Sequence, residues 1–177
     1  PVACAGCWTR ICTGMTRHMG DEEILPTGPP DRQVTRIGAY ALCVDDGRIL
    51  LVRIAPGYWS GVGEWTLPGG GLDFGETPIE GALRELREET GLLGEITGIA
   101  DVLSWSGRWR HPRDGVDEAY HGVQVVYRMS IIGGELTSEV DGSTDLAAWF
   151  TRDEAADLPL VDLAQAAVRM AFGTASA

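Results

Sequence analysis

Between Gly69 and Gly91 the chain reads GGGLDFGETPIEGALRELREETG, a glycine-rich segment followed by strong helix start and stop signals. Thr77 is a good helix N-cap, Pro78 suits the first helical position, and Glu80 completes a capping box with Thr77. Gly91 is the natural C′ residue, because glycine accepts the left-handed backbone that ends a helix. The spacing therefore predicts a helix that starts after Thr77 and stops before Gly91. At about 100° per residue, Ile79, Ala82, Leu83 and Leu86 form one narrow apolar stripe for the core.

The charges on this helix work against its stability. Glu85, Glu88 and Glu89 crowd the last two turns, on one flank of the apolar stripe. Negative charge there opposes the macrodipole, and like charges three or four residues apart repel. The i,i+4 pairs Glu80–Arg84 and Arg84–Glu88 would suit an ordinary solvated face, yet they leave Glu85 and Glu89 facing each other. A divalent cation would remove the conflict, since hard cations such as Mg²⁺ take oxygen ligands. The preceding loop, with four glycines between Gly69 and Glu76, lets backbone approach a metal or phosphate closely.

Around this segment lie strand-like runs. IGAYALCV and RILLVRI flank Asp45-Asp46-Gly47 and read as a hairpin, with Cys43 a reduced core residue. EWTLP, EITGIADVLSW, HGVQVVYRMSII and DLAAWF are further strand candidates, with a turn at Gly133-Gly134. RDEAADL and VDLAQAAVRMAF read as helices, the second ending at Gly173. Strands and helices mix without regular βαβ alternation, so the expected class is α/β with a mixed sheet and helices packed on it. Residues 1–35 show no sustained periodicity and read as a flexible leader, leaving 36–177 as the domain. The sharper reading of that leader is metal binding by Cys4, Cys7, Cys12 and His18, although their spacing fits no standard zinc pattern.

Composition narrows the partners. The net charge is −12, every one of the 14 basic residues is Arg, and no apolar run approaches the ~20 residues that span a bilayer. A chain-wide surface for nucleic acid or anionic membrane is disfavoured, whereas a polyanionic substrate needs metal ions or a local basic patch. The start lacks the pattern of a signal peptide, so a cytoplasmic setting is the default expectation.

Gly70, five residues, Glu76, seven residues and RELREETGL (Arg84–Leu92) resemble the Nudix box at every fixed position. WTLPGG before it and AAWF (Ala147–Phe150) after it sit where a Nudix domain has them, and the resemblance covers about Arg36 to Phe172. It implies a Nudix fold, an α/β/α sandwich with a mixed sheet. It also implies Mg²⁺- or Mn²⁺-dependent hydrolysis of a nucleoside diphosphate linked to another group, such as a nucleoside triphosphate or similar small nucleotide. Carried over by position, Glu88 and Glu89 are metal ligands and Glu85 is a ligand or the water-activating base. Arg84 orients a glutamate, Gly70 offers its carbonyl to the metal, and Glu76 supports the loop. Family members often recruit another acid outside the box; of Glu139, Asp141 and Asp145, Glu139 is the choice here. A non-catalytic nucleotide sensor is the alternative, and a homodimer is an open expectation.

SWSGRWRHPRDG (Ser104–Gly115) gathers Arg108, Arg110 and Trp109 in an otherwise acidic chain. Arg can fork onto phosphate and Trp can stack on a base, so these three are candidate substrate-binding residues on a loop. A solvated surface loop is the simpler reading. Tyr58 and Trp59 form a second aromatic candidate, for which partial core packing is the simpler reading.

Overall fold

A computed structural model of the chain describes residues 28–56, 61–111 and 114–173. The Cys4, Cys7, Cys12 and His18 grouping lies outside the described residues, as do Tyr58, Trp59 and Arg113. In chain order the elements are β1 (Arg32–Asp45), β2 (Arg48–Ile54), β3 (Trp65–Thr66), β4 (Gly69–Gly71), α1 (Pro78–Thr90), β5 (Leu92–Arg110), β6 (Asp117–Gly134), β7 (Thr144–Thr151), α2 (Arg152–Ala156) and α3 (Asp162–Phe172).

The sheet is mixed. β6 pairs with β1 in parallel and with β5 in antiparallel, β4 pairs antiparallel with β1, and β2 carries β3 and β7. The β1–β2 hairpin forms at the expected place, with Asp46 at φ 46° and Gly47 at φ 70°. Positive φ at both central residues matches the twist of a two-residue hairpin.

Side-chain alternation then makes two cores. Ala39, Ala41, Cys43 and Leu50 meet Ala82 and Leu86 of α1 on one face. Leu42, Ile49 and Leu51 meet Ala155 of α2 and Leu163, Ala164 and Ala167 of α3 on the other. The helix–sheet–helix layering of the expected sandwich follows from this period of two. Cys43 is fully buried, and burial pushes its thiol up to about 12, which makes it an inert packing residue.

Four expectations are corrected. β1 begins at Arg32, because Arg32–Arg36 pair with Glu118–Gly122 of β6, so the expected boundary at residue 36 falls inside a strand. Gly69–Gly71 form a strand beside β1 where a loop is expected. Ser104–Arg110 are the end of β5, paired residue by residue with β6 from Val123 to Asp117, so Arg108, Trp109 and Arg110 sit on a ladder. Gly133 and Gly134 close the far end of the same ladder by pairing with Leu93 and Leu92, where a turn is expected.

Candidate active site

α1 carries both expected caps. Thr77 accepts from the Glu80 backbone N–H, the Glu80 carboxylate accepts in return from Thr77, and the Gly91 N–H bonds to the Arg87 carbonyl at φ 69°. Burial along the helix starts at Gly81 and runs through Ala82, Leu86, Glu89 and Thr90. Ile79 is 49% exposed, contrary to the expected stripe. Its angle on the helix is right, but it lies about 10 Å along the axis from Leu86, before the covered part of the face.

The carboxylates grade from surface to core. The side chain of Glu88 is 51% exposed, that of Glu85 14%, and Glu89 is buried at 2%. By helical angle Glu89 lies about 20° from Ala82, on the side away from Leu86, so it sits at the flank of the apolar stripe as expected, and that flank is buried. It accepts hydrogen bonds from the Gly69 N–H at 2.9 Å and from Ser143 Oγ at 2.8 Å. Burial nevertheless pushes its carboxyl up to about 8, and Glu85 and Glu139 add to the rise. Glu85 is also raised, again chiefly by burial, with Glu88 and Glu139 contributing.

Arg84 is the counter-charge of the cluster. Its Nε and Nη2 fork onto the two oxygens of Glu76 at 2.8 and 2.9 Å, and Nη1 donates to Glu85 at 2.9 Å and to Glu88 at 3.0 Å. The expected Glu80–Arg84 pair does not form, because Glu80 is committed to the cap at Thr77. Glu76 also accepts from the Asp73 N–H, and the Arg84 guanidinium holds its carboxyl down at about 2. The loop and the helix are thereby locked together through one guanidinium.

Glycine is required in β4 by close approach. A Cβ at Gly69 would lie 2.4 Å from the Ala39 carbonyl oxygen, and one at Gly70 would lie 2.8 Å from Glu85 Oε1. These contacts bring β1 and the helix carboxylates to one cavity of about 480 Å³. Gly70, Arg84, Glu85 and Glu89 line it, together with Trp105 from the Ser104–Gly115 candidate segment and with Arg36, Tyr40, Tyr120, Gln124 and Ser143, which were not candidates from the sequence.

The other candidates are placed as follows. Glu139 accepts from the N–H and hydroxyl of Thr144, which lines the cavity, and is near enough to act on Glu85 and Glu89. Arg108 forks onto Asp117 and donates to the Gly28 carbonyl, and it borders a separate groove rather than this cavity. Trp109 stacks against Trp105 and Tyr120 at 6.0 and 5.2 Å, and Arg110 donates to the Gly115 carbonyl. None of Arg108, Trp109 and Arg110 lines the carboxylate cavity.

The model of the NUDIX domain matches residues 33–171 of this chain. The chain belongs to the Nudix family. A MutT-like protein from Streptomyces ambofaciens is 30% identical over 131 residues, 74% of this chain and 71% of that one. An ADP-ribose pyrophosphatase from Methanocaldococcus jannaschii is 34% identical over 96 residues, about half of each chain. The crystal structure of a MutT NUDIX hydrolase from Burkholderia pseudomallei superposes with a TM-score of 0.62 at 28% identity, covering 77% of this chain and 98% of that one. Both the α/β fold and the enzyme class, a Nudix hydrolase acting on the pyrophosphate bond of a nucleotide-linked substrate, stand with the family. No described helix is long and apolar enough to cross a membrane.

Nudix hydrolases use divalent metals, and the donor set of this cavity fits one. Burial is the main cause of the raised carboxyls of Glu85 and Glu89, and the charge of Glu139 adds to both, as expected where anionic oxygens gather without enough positive charge. Among the described residues no three acidic, His or Cys side chains are already closed into a cage.

Proposed function

We propose that this chain hydrolyses a nucleoside diphosphate linked to another group, a nucleoside triphosphate or similar small nucleotide, by attack of water on phosphorus. The observation that carries the reading is Glu89, a carboxylate 2% exposed that lines the same cavity as Glu85. Burying a carboxylate without a cationic partner is expensive, and a structural residue at that point in the helix would be apolar.

Glu85, Glu88, Glu89, Glu139 and the Gly70 carbonyl are the oxygens that would hold Mg²⁺ or Mn²⁺. Such an ion neutralises pyrophosphate oxygens and lowers the pKa of a bound water. The chain's own groups divide the remaining work. Arg84 holds Glu85 and Glu88 in place without itself standing among the acceptors. Glu85, lifted by burial, is suited to take the proton from the attacking water. The Gly69 N–H and Ser143 fix the Glu89 carboxylate, so little reorganisation is needed when substrate arrives. A cytoplasmic setting, where small nucleotides are available, suits the reaction.

Incubation with Mg²⁺ and a panel of nucleotides, followed by detection of released phosphate or pyrophosphate, tests this. Turnover that disappears on chelation and in Glu89→Gln supports hydrolysis. Nucleotide binding without release under any divalent ion would make the chain a sensor instead.

A further inference from the structure

Opposite the carboxylates, the cavity has a second character. Three strands contribute it through the same alternation: Arg36, Gly38 and Tyr40 from β1, Tyr120, Gly122 and Gln124 from β6, and Trp105, Gly107 and Trp109 from β5. The register sets Arg36 and Trp105 on either side of Gly122, and Gly107 beside Tyr120. Residues two apart on a strand share a face, so the nine positions form one surface.

The glycines let the large side chains lie flat on it. A Cβ at Gly122 would meet the Trp105 indole nitrogen at 2.6 Å, and one at Gly107 would meet the Trp109 ring at 2.9 Å. Trp105 and Tyr120 stack at 4.9 Å with an interplanar angle of 29°, and Trp109 backs both. Both Trp105 and Tyr120 line the cavity and are only half-buried, so aromatic surface remains accessible. Arg36 is exposed, its guanidinium lies over Gly71, and among the described residues it forms no ion pair with a carboxylate. In a chain of net charge −12 this is an available cation at the mouth of an acidic cavity.

We infer that Arg36, Trp105 and Tyr120 are the specificity-determining wall of the site. The Trp105–Tyr120 pair stacks the base of the nucleotide, and Arg36, over Gly71, takes the charge of a phosphoryl oxygen. The inference rests on the hydrolase reading for its cavity and deepens it. It assigns the substrate an aromatic base and moves recognition from Arg108, Arg110 and Trp109 to side chains that share the cavity with Glu85. Base stacking tolerates any base because each has a π-face, and Arg combines charge with a planar fork for phosphate.

Calorimetric titration of the full chain in metal-free buffer, with the four nucleoside monophosphates and with ribose 5-phosphate, decides it. The wild type should bind at least one nucleotide more tightly than ribose 5-phosphate. Trp105→Ala should weaken that nucleotide about tenfold, as loss of one stacked base predicts, and leave ribose 5-phosphate unchanged. Trp105→Phe should restore most of the affinity, which a merely structural role for the indole would not explain. Arg36→Gln should weaken both ligands alike, by about tenfold or less. Circular dichroism and thermal melting confirm that each variant is folded. Equal binding of nucleotide and ribose 5-phosphate to the wild type, or equal losses of both in Trp105→Ala, would overturn the proposal. Turnover plays no part in these titrations. A chain that reads the base yet hydrolyses nothing would therefore sink the hydrolase reading alone.

Discussion

The two ends of the cavity are built by opposite means. At the carboxylate end, Gly69, Gly70, Glu76, Arg84, Glu85, Glu88 and Glu89 lie within 21 consecutive residues, and one helix with its preceding loop sets their geometry. At the aromatic end, Arg36 and Trp105 share one face, on either side of Gly122, only because β1, β6 and β5 pair in one register. The first end is robust in position but electrostatically strained, with a buried Glu89 and a single guanidinium balancing the cluster. The second is at ease electrostatically but depends on the ladder. Damage to the first should therefore appear in turnover, and damage to the second in stability or in affinity.

The sharpest separation comes from Glu89→Gln. It keeps an acceptor for the Gly69 N–H and a polar partner for Ser143 while removing the charge. Turnover should fall by about a thousandfold or more. The metal-free protein should melt about 2–4 °C higher, as expected for a gain near 1 kcal/mol in a chain of this size. Rates near wild type, or a lower melting temperature, would show that Glu89 serves packing and not chemistry. Arg84→Met comes next. It frees Glu76, Glu85 and Glu88 together, so steady-state kinetics should show kcat down by roughly 10–100-fold, the scale of lost orienting contacts. Unlike Glu89→Gln, it should also lower the melting temperature, because three carboxylates lose their shared cation.

That contrast also explains what could be read from the sequence alone. The cap at Thr77, the stop at Gly91 and the carboxylate cluster are local, and their spacing carries them completely. The strand at Gly69–Gly71 is hidden because glycine has a poor strand tendency; it forms where only glycine can approach β1. Burial of Glu89 was within reach, since its helical angle is only about 20° from that of Ala82. The aromatic wall was not, because the parallel pairing of β1 with β6 joins residues more than 80 apart, such as Arg36 with Gly122. A signal did exist in the triplets Arg36-Gly38-Tyr40, Trp105-Gly107-Trp109 and Tyr120-Gly122-Gln124, each with glycine at the centre of a period-two pattern. Reading SWSGRWR as a loop concealed it.

On the ribbon that supports the wall, Asp117→Asn tests whether Arg108 is structural. The Asp117 side chain is 5% exposed, and the Arg108 guanidinium holds its carboxyl below the usual carboxylate range. The substitution should lower the melting temperature by a few degrees and leave kcat unchanged. The pH dependence has a fixed sign. A folded-state pKa below the unfolded value of ~3.9 contributes stability that is fully present above that value and lost as pH falls through the folded one. The gap in melting temperature between wild type and Asp117→Asn should thus be level from pH 5 to pH 8 and close in more acidic buffer. A gap that persists in acid would mean that Asp117 acts by packing, and a fall in kcat would return Arg108 to the substrate site.

The smallest effect is the most informative about α1 itself. Ile79 and Leu86 share a helical face, yet Ile79 is 49% exposed and Leu86 is fully buried. Leu86→Ala should cost about 3 kcal/mol in urea unfolding, the usual range for a buried leucine. Ile79→Ser should stay within ~0.5 kcal/mol, since the two residues have similar helix propensity and no core contact is lost. If Ile79→Ser instead cost 2 kcal/mol or more, something must cover the first turn of α1, and the segments outside the described residues would be the place to look. A negligible cost would confirm that the apolar stripe is set by the sheet beneath the helix and not by the period of the helix alone.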